Sequence, residues 1–182
     1  MNYKVFDYSN STKLNSLIYE MAINNAKLHT PITHIEAAQI LSENNKEVYD
    51  TKGLNPRNIK YHPSAIKVDG GGVLSSFMIH EYKVKEVNDF FTWIEGILDI
   101  KTEMSWIVTY NQHQRGGKHC HMEYDTTFCY YANVPNGSSP LIIEGETIEP
   151  VLGRVVVFSG QLEHEVLLSE IDGRCSLVGH GS

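Results

Sequence analysis

Leu14, Leu17, Ile18, Met21 and Ala22 recur at the i, i+3, i+4 spacing that lines one face of a helix, so residues 11–28 are predicted to be amphipathic helix. A second helix is expected from Thr33 to about Glu43, because Thr33 followed three residues later by Glu36 is a capping-box pattern. The polar stretch Asn44 to Lys67, broken by Gly53, Pro56 and Pro63, reads as loops and short irregular pieces. Gly70 to Gly72 form a turn before a predicted strand, Val73 to Lys85. A third helix, about Asn88 to Asp99, puts Phe90, Phe91, Ile94, Ile97 and Leu98 on one stripe. Core packing accounts for all of these stripes.

From Trp106 onwards the texture changes to short strands with turn signals between them. The expected strands are Trp106–Tyr110, Lys118–Glu123, Thr126–Val134, Pro140–Glu144, Glu146–Glu149, Arg154–Phe158, His164–Leu168 and Arg174–Gly179. Asn136-Gly137, Gly145, Gly153 and Asp172-Gly173 punctuate them. Such a series suggests a sandwich or jelly roll. No repeat or low-complexity linker separates the two halves, so residues 1–182 are taken as one domain, with a helical front and supporting strand over 1–100 and a β core over 101–182.

Composition narrows the function. Hydrophobic residues at 41% and charged ones at 20% describe a soluble globular chain. No apolar run approaches the ~20 residues a membrane span needs. The N-terminal MNYKVFDYSNS lacks the pattern of a secretion signal, which points to the cytoplasm. A net charge of −7 argues against nucleic acid as the main partner, although Arg115 and Lys118 could form a local basic patch. Cys120, Cys129 and Cys175 are an odd number without a repeating interval, as expected of reduced packing residues; Cys120 and Cys175 should point away from any site built by their neighbours.

The candidate chemistry lies in KHCHMEYD and EHEVLLSEIDGRCS. On a strand, residues i and i+2 share a face, so His119 and His121 look one way, and so do Arg174 and Ser176. Two imidazoles converging with a third, His164, would make a metal site. An arginine beside a hydroxyl makes a carboxylate clamp. Single histidines such as His34, His80 and His113 read as surface or hydrogen-bonding residues. The bland reading of Arg174 is a surface ion pair with Glu170 or Asp172.

The order Tyr110, His119-x-His121, Tyr130-Tyr131, Pro150-x-x-Gly153, Phe158, His164 and Arg174-x-Ser176 resembles the iron(II)- and 2-oxoglutarate-dependent oxygenases, in particular the short prolyl hydroxylase-related members found in phages and marine microbes. The resemblance covers about the C-terminal two-fifths of the chain. It implies a mainly β (α+β) fold, a double-stranded β-helix of the jelly-roll and cupin-like kind, with N-terminal helices packed on the sheet. It also implies Fe(II) as cofactor and 2-oxoglutarate as cosubstrate, with hydroxylation of a C–H bond in a protein side chain or small molecule and release of succinate and CO2. By the same resemblance His164 is the distal metal histidine and His119 the first. Arg174 and Ser176 receive the far carboxylate of the cosubstrate, and Tyr110 hydrogen-bonds it.

The family's usual His-x-Asp is here His-x-His, which leaves two ligand sets: His119, His121 and His164, or His121, Glu123 and His164. Other classes fit parts of the pattern. One is a cupin-like metalloenzyme that needs no 2-oxoglutarate; the other is a jelly-roll binding module without activity.

Overall fold

In a computed structural model of the chain, described over residues 2–28, 31–33, 35–36, 49–50, 53–54 and 65–182, the strands are β1 (Tyr3–Asp7), β2 (Ile32–Thr33), β3 (Tyr49–Asp50), β4 (Gly53–Leu54), β5 (Ala65–Lys67), β6 (Val73–Ser75), β7 (Thr102–Tyr110), β8 (Gly116–His119), β9 (Thr126–Asn133), β10 (Leu141–Ile143), β11 (Glu146–Ile148), β12 (Arg154–Ser159), β13 (His164–Val166) and β14 (Arg174–Gly181). Two long helices accompany them, α1 (Ser11–Leu28) and α2 (Lys85–Leu98). The major sheet runs β1-β12-β9-β14-β7-β6-β5-β2, the minor sheet β11-β10-β13-β8, and β3 pairs with β4.

Strand alternation divides the major sheet into two differently used faces. Ile107, Phe128, Tyr130, Val155, Val157, Cys175 and Leu177 pack with α1 and α2 in one buried cluster. Leu14, Ile18 and Ala22 supply the α1 side of it, with Leu17 and Met21 at its margin; Val87, Phe90, Phe91 and Ile94 supply the α2 side. The other face carries Trp106, Val108, Tyr110, Cys129, Tyr131, Val156 and Phe158 against Leu141, Ile143, Ile148 and Val166 of the minor sheet. Along β14 this alternation sends Arg174, Ser176, Val178 and His180 into the space between the sheets.

Several expected boundaries move. The predicted strand Val73–Lys85 ends at Ser75, because Ser76 and Met78 take left-handed backbone angles (φ 52° and 56°) and a 3-10 turn follows at Ile79–Glu81. Lys85 opens α2 instead, which brings Val87 into the core, while Ile97 lies at the edge of the apolar stripe and is exposed. β7 begins earlier than expected, at Thr102, and β1 was not foreseen; it pairs antiparallel with β12. The Thr33–Glu36 capping box forms, with Thr33 N donating to Glu36 Oε2 at 2.7 Å and Glu36 N to Thr33 Oγ1 at 3.2 Å. Most of the helix expected beyond it, and most of the loop region Asn44 to Lys67, lie outside the described residues. Glu144 and Gly145, with φ 48° and 81°, make the tight turn between β10 and β11 that the glycine signalled.

Candidate metal centre and anion pocket

Antiparallel pairing of β8 with β13 sets His119 directly opposite His164, with ring centroids 4.3 Å apart. His121 arrives by another route. The strand expected over Lys118–Glu123 stops at His119, so a shared strand face does not place His121. A turn does: His121 N donates to Gly160 O at 2.7 Å and Tyr124 N to His121 O at 3.1 Å. Gly160 permits this close approach, since a Cβ there would lie 2.3 Å from Tyr124 O and 2.7 Å from His121 O. The turn carries the His121 ring to 4.8 Å from His119 and 5.0 Å from His164. One ring nitrogen from each of the three lies within 4.8 Å of the others. Glu123 is exposed and stands outside this group. Cys120 lies just past the end of β8 and is half-buried, whereas Cys129 and Cys175 are buried in strands; all three are free thiols.

Two of the rings are oriented by backbone. His119 Nδ1 lies 2.6 Å from Gly117 O and His164 Nδ1 lies 3.0 Å from Leu162 O. A carbonyl can only accept, so Nδ1 carries the proton and each Nε2 keeps its lone pair for a ligand. Burial, aided by the neighbouring His119, pulls His164 down to about 4 despite the Leu162 carbonyl, and burial with three imidazole neighbours also lowers His121. Neutral imidazoles at physiological pH suit borderline divalent ions such as iron or zinc.

At the other end of the interior, Arg174 pairs in register with Tyr110 across β14 and β7. Its side chain is 0% exposed. Nε donates to Ser139 O at 3.0 Å, while the two terminal nitrogens meet no hydrogen-bond partner among the described residues. The Ser139 hydroxyl is likewise buried and unpartnered among the described residues, while the buried Tyr131 and Ser176 hydroxyls lie near Arg174 and Cys129 respectively, short of hydrogen-bond geometry. The guanidinium lies 5.2 Å and 5.3 Å from the ring centroids of Tyr110 and Tyr131. Burial pushes the Tyr110 phenol up to about 12, against the opposing pull of Arg174, so it stays a neutral donor. Arg174 makes no ion pair with Glu170 or Asp172; the Asp172 carboxylate instead accepts from Gln112 N at 2.8 Å. A buried cation flanked by two tyrosine rings, with donors unmet and no carboxylate partner among the described residues, fits the end of an organic acid.

No family model and no curated protein matches the sequence. Solved structures do match in shape. A prolyl-4-hydroxylase from Pseudomonas putida aligns with a TM-score of 0.58 at 15% identity, over 99% of this chain and 92% of its own. A prolyl hydroxylase from Trichoplax adhaerens, solved with a hypoxia-inducible factor oxygen degradation domain peptide fragment, gives 0.60 at 13% identity, over 99% and 83%. The viral collagen prolyl hydroxylase of Paramecium Bursaria Chlorella virus-1, solved with 2-oxoglutarate, gives 0.55 at 13% identity, over 99% and 95%. The fold is that of the 2-oxoglutarate oxygenases.

Of the candidate site residues named from sequence, His119, His121 and His164 converge, and Tyr110, Arg174 and Ser176 face the space between the sheets from adjacent strands; His34 lies outside the described residues. Three further residues went unassigned. Tyr131 was visible only as half of a tyrosine pair, although alternation along β9 sends it inward and Tyr130 outward. His180 shares the inward face with Arg174 and Ser176, and continuing the i, i+2 count along β14 would have found it. Ser139 lies on the loop before β10, where nothing in the sequence marks it.

Proposed function

We propose that this chain is an iron(II)- and 2-oxoglutarate-dependent oxygenase that hydroxylates a C–H bond, with succinate and CO2 as coproducts. The observation that carries the reading is the pairing, between the same two sheets, of three converging imidazoles with a fully buried guanidinium whose terminal nitrogens have no hydrogen-bond partner among the described residues. His119, His121 and His164 would hold the metal. Arg174 and Ser176 would receive the far carboxylate of 2-oxoglutarate, with Tyr110 and Tyr131 beside them. When bound, the iron and the keto acid supply the oxidising chemistry that amino-acid side chains lack.

The chain's own part is positioning and exclusion of water. Leu162 and Gly117 carbonyls hold two of the imidazoles in the tautomer that presents Nε2. The Tyr110 and Tyr131 rings flank the guanidinium, so a carboxylate there exchanges water for a charge-assisted bond in a low-dielectric pocket. Three neutral ligands leave the full double charge of the metal to be met by an anionic cosubstrate, whereas a carboxylate ligand would neutralise part of it. This favours a chelating dianion at the open positions.

The prime substrate is a peptidyl side chain or a small molecule. The Trichoplax relative carries a peptide, which makes a peptide the first class to try. No helix among the described residues is long and apolar enough to cross a membrane.

The direct test is turnover of 2-oxoglutarate to succinate with Fe(II), ascorbate and oxygen. A charge-assisted Arg–carboxylate bond contributes roughly 1.5–3 kcal/mol, so Arg174→Ala should weaken cosubstrate use by about 10- to 150-fold. Unaltered dependence on 2-oxoglutarate in that variant removes Arg174 from the site. Metal-dependent turnover of some substrate without 2-oxoglutarate would favour the cupin-like class. A melting temperature indifferent to both metal and cosubstrate would favour a binding module.

A further inference from the structure

A fourth histidine stands behind the metal group without belonging to it. His180 is 1% exposed, on the inward face of β14, and its ring lies 4.0 Å from that of His121. Tyr124 stacks on it at 4.8 Å with planes 13° apart, and Trp106 closes another side at 4.8 Å. Its Nδ1 lies 2.9 Å from Thr127 Oγ1, and its Nε2 is buried without a hydrogen-bond partner among the described residues. Burying such a nitrogen unpaired costs about as much as a lost hydrogen bond, so it calls for an occupant.

His121 has the complementary need. His119 and His164 each tie Nδ1 to a carbonyl two residues upstream. Among the described residues neither ring nitrogen of His121 has a hydrogen bond, and of the rings packed against it, those of His119, His164, Trp106 and His180, that of His180 is nearest. A metal-binding imidazole takes the ion on one nitrogen and orients itself by donating from the other.

Resting on the metal reading above, we propose that His180 is the positioning residue for His121. In this structure the two rings are in tilted contact and make no hydrogen bond. Once a metal fixes one nitrogen of His121, the ring turns so that its other N–H donates to His180 Nε2, while His180 Nδ1–H donates to Thr127 Oγ1. The protons are consistent along this relay: every nitrogen that donates carries one hydrogen, and His180 Nε2, the atom left unpartnered, is the acceptor. His180 thereby gives His121 the outer support that backbone carbonyls give its two companions. It would also let a histidine serve at a position where the family has a carboxylate.

The test uses the full chain, Co(II) as a spectroscopic metal, and no cosubstrate. Outer partners of metal-bound histidines typically contribute 10- to 100-fold in affinity. His180→Phe, which keeps a ring but no nitrogen, should weaken Co(II) binding by about that factor and alter the visible d–d bands. His180→Gln, whose amide oxygen can accept the same bond, should recover most of the affinity. Thr127→Val, which leaves the ring and removes its anchor, should shift affinity in the same direction by less; it carries the test if His180→Phe does not fold. In the Zn(II)-loaded protein, 15N imidazole spectra should show His180 as the Nδ1–H tautomer. Wild-type affinity and bands in His180→Phe, with loss of binding in His164→Ala, would overturn the role of His180 alone. A wild-type chain that takes up no Co(II) would overturn the metal reading, and this inference with it.

Discussion

Arg174 is buried at a large cost in lost hydration. A guanidinium held at 0% exposure, with both terminal nitrogens lacking a hydrogen-bond partner among the described residues, gives up hydration that the flanking tyrosine faces partly replace. A bound carboxylate would complete the shell, which makes this a position where function opposes stability. Arg174→Met keeps the length and removes the charge. We expect it to stabilise the ligand-free chain by about 1–3 kcal/mol while abolishing any thermal response to 2-oxoglutarate. Differential scanning fluorimetry with and without the keto acid reads both halves. A lower melting temperature in the ligand-free variant would mean that the guanidinium is satisfied by the protein itself.

Among the elements, β8 and β13 pair directly, whereas the turn from His121 to Tyr124 depends on a close approach to Gly160. With backbone oxygens at 2.3 and 2.7 Å from the position of a Cβ, no side-chain rotation makes room for one. Gly160→Ala should therefore push the turn outward, destabilise the chain by about 1–3 kcal/mol, and weaken metal retention through His121 while leaving the His119–His164 pair in register. Metal titration of the folded variant, together with its denaturation midpoint, checks this; unimpaired metal affinity would show that the turn does not need that contact. The case also shows the limit of period-two reasoning. His119 and His121 do point to one centre, but β8 ends between them, and a turn does what the alternation was expected to do.

Over the whole molecule, the buried imidazoles couple stability to pH. Folding lowers His164 from 6.5 to about 4 and His180 from 6.5 to about 3, in both cases chiefly through burial. Between those values and 6.5 the unfolded chain binds more protons than the folded one, so unfolding free energy rises with pH across that window. The contribution is complete above about 6.5 and drains away as pH falls toward about 4. Metal binding moves the same way, because protonated imidazoles cannot ligate. Urea midpoints of the metal-free protein at pH 7.5 and 5 should therefore differ, with the acid sample weaker and the difference reduced in His164→Gln. Equal midpoints would mean that these rings are hydrated enough to titrate normally.

The linear chain settled the apolar stripes of α1 and α2, the turn glycines, the capping box, the succession of strands and the residue types of the site, because each depends on near neighbours through a period of 3.6 or 2 or on a local backbone angle. Much of the candidate site was therefore legible in advance: the histidines as metal-binding candidates and Arg174 with Ser176 as a candidate anion clamp. Only the folded molecule decided which residues meet across distance. It paired β1 with β12, turned Tyr131 and Ser139 toward Arg174, and folded His121 back on Gly160. It also set His180 behind His121, fifty-nine positions along the chain, where spacing says nothing about contact. Those meetings follow from how two sheets close over a shared interior, and no local pattern carries that information.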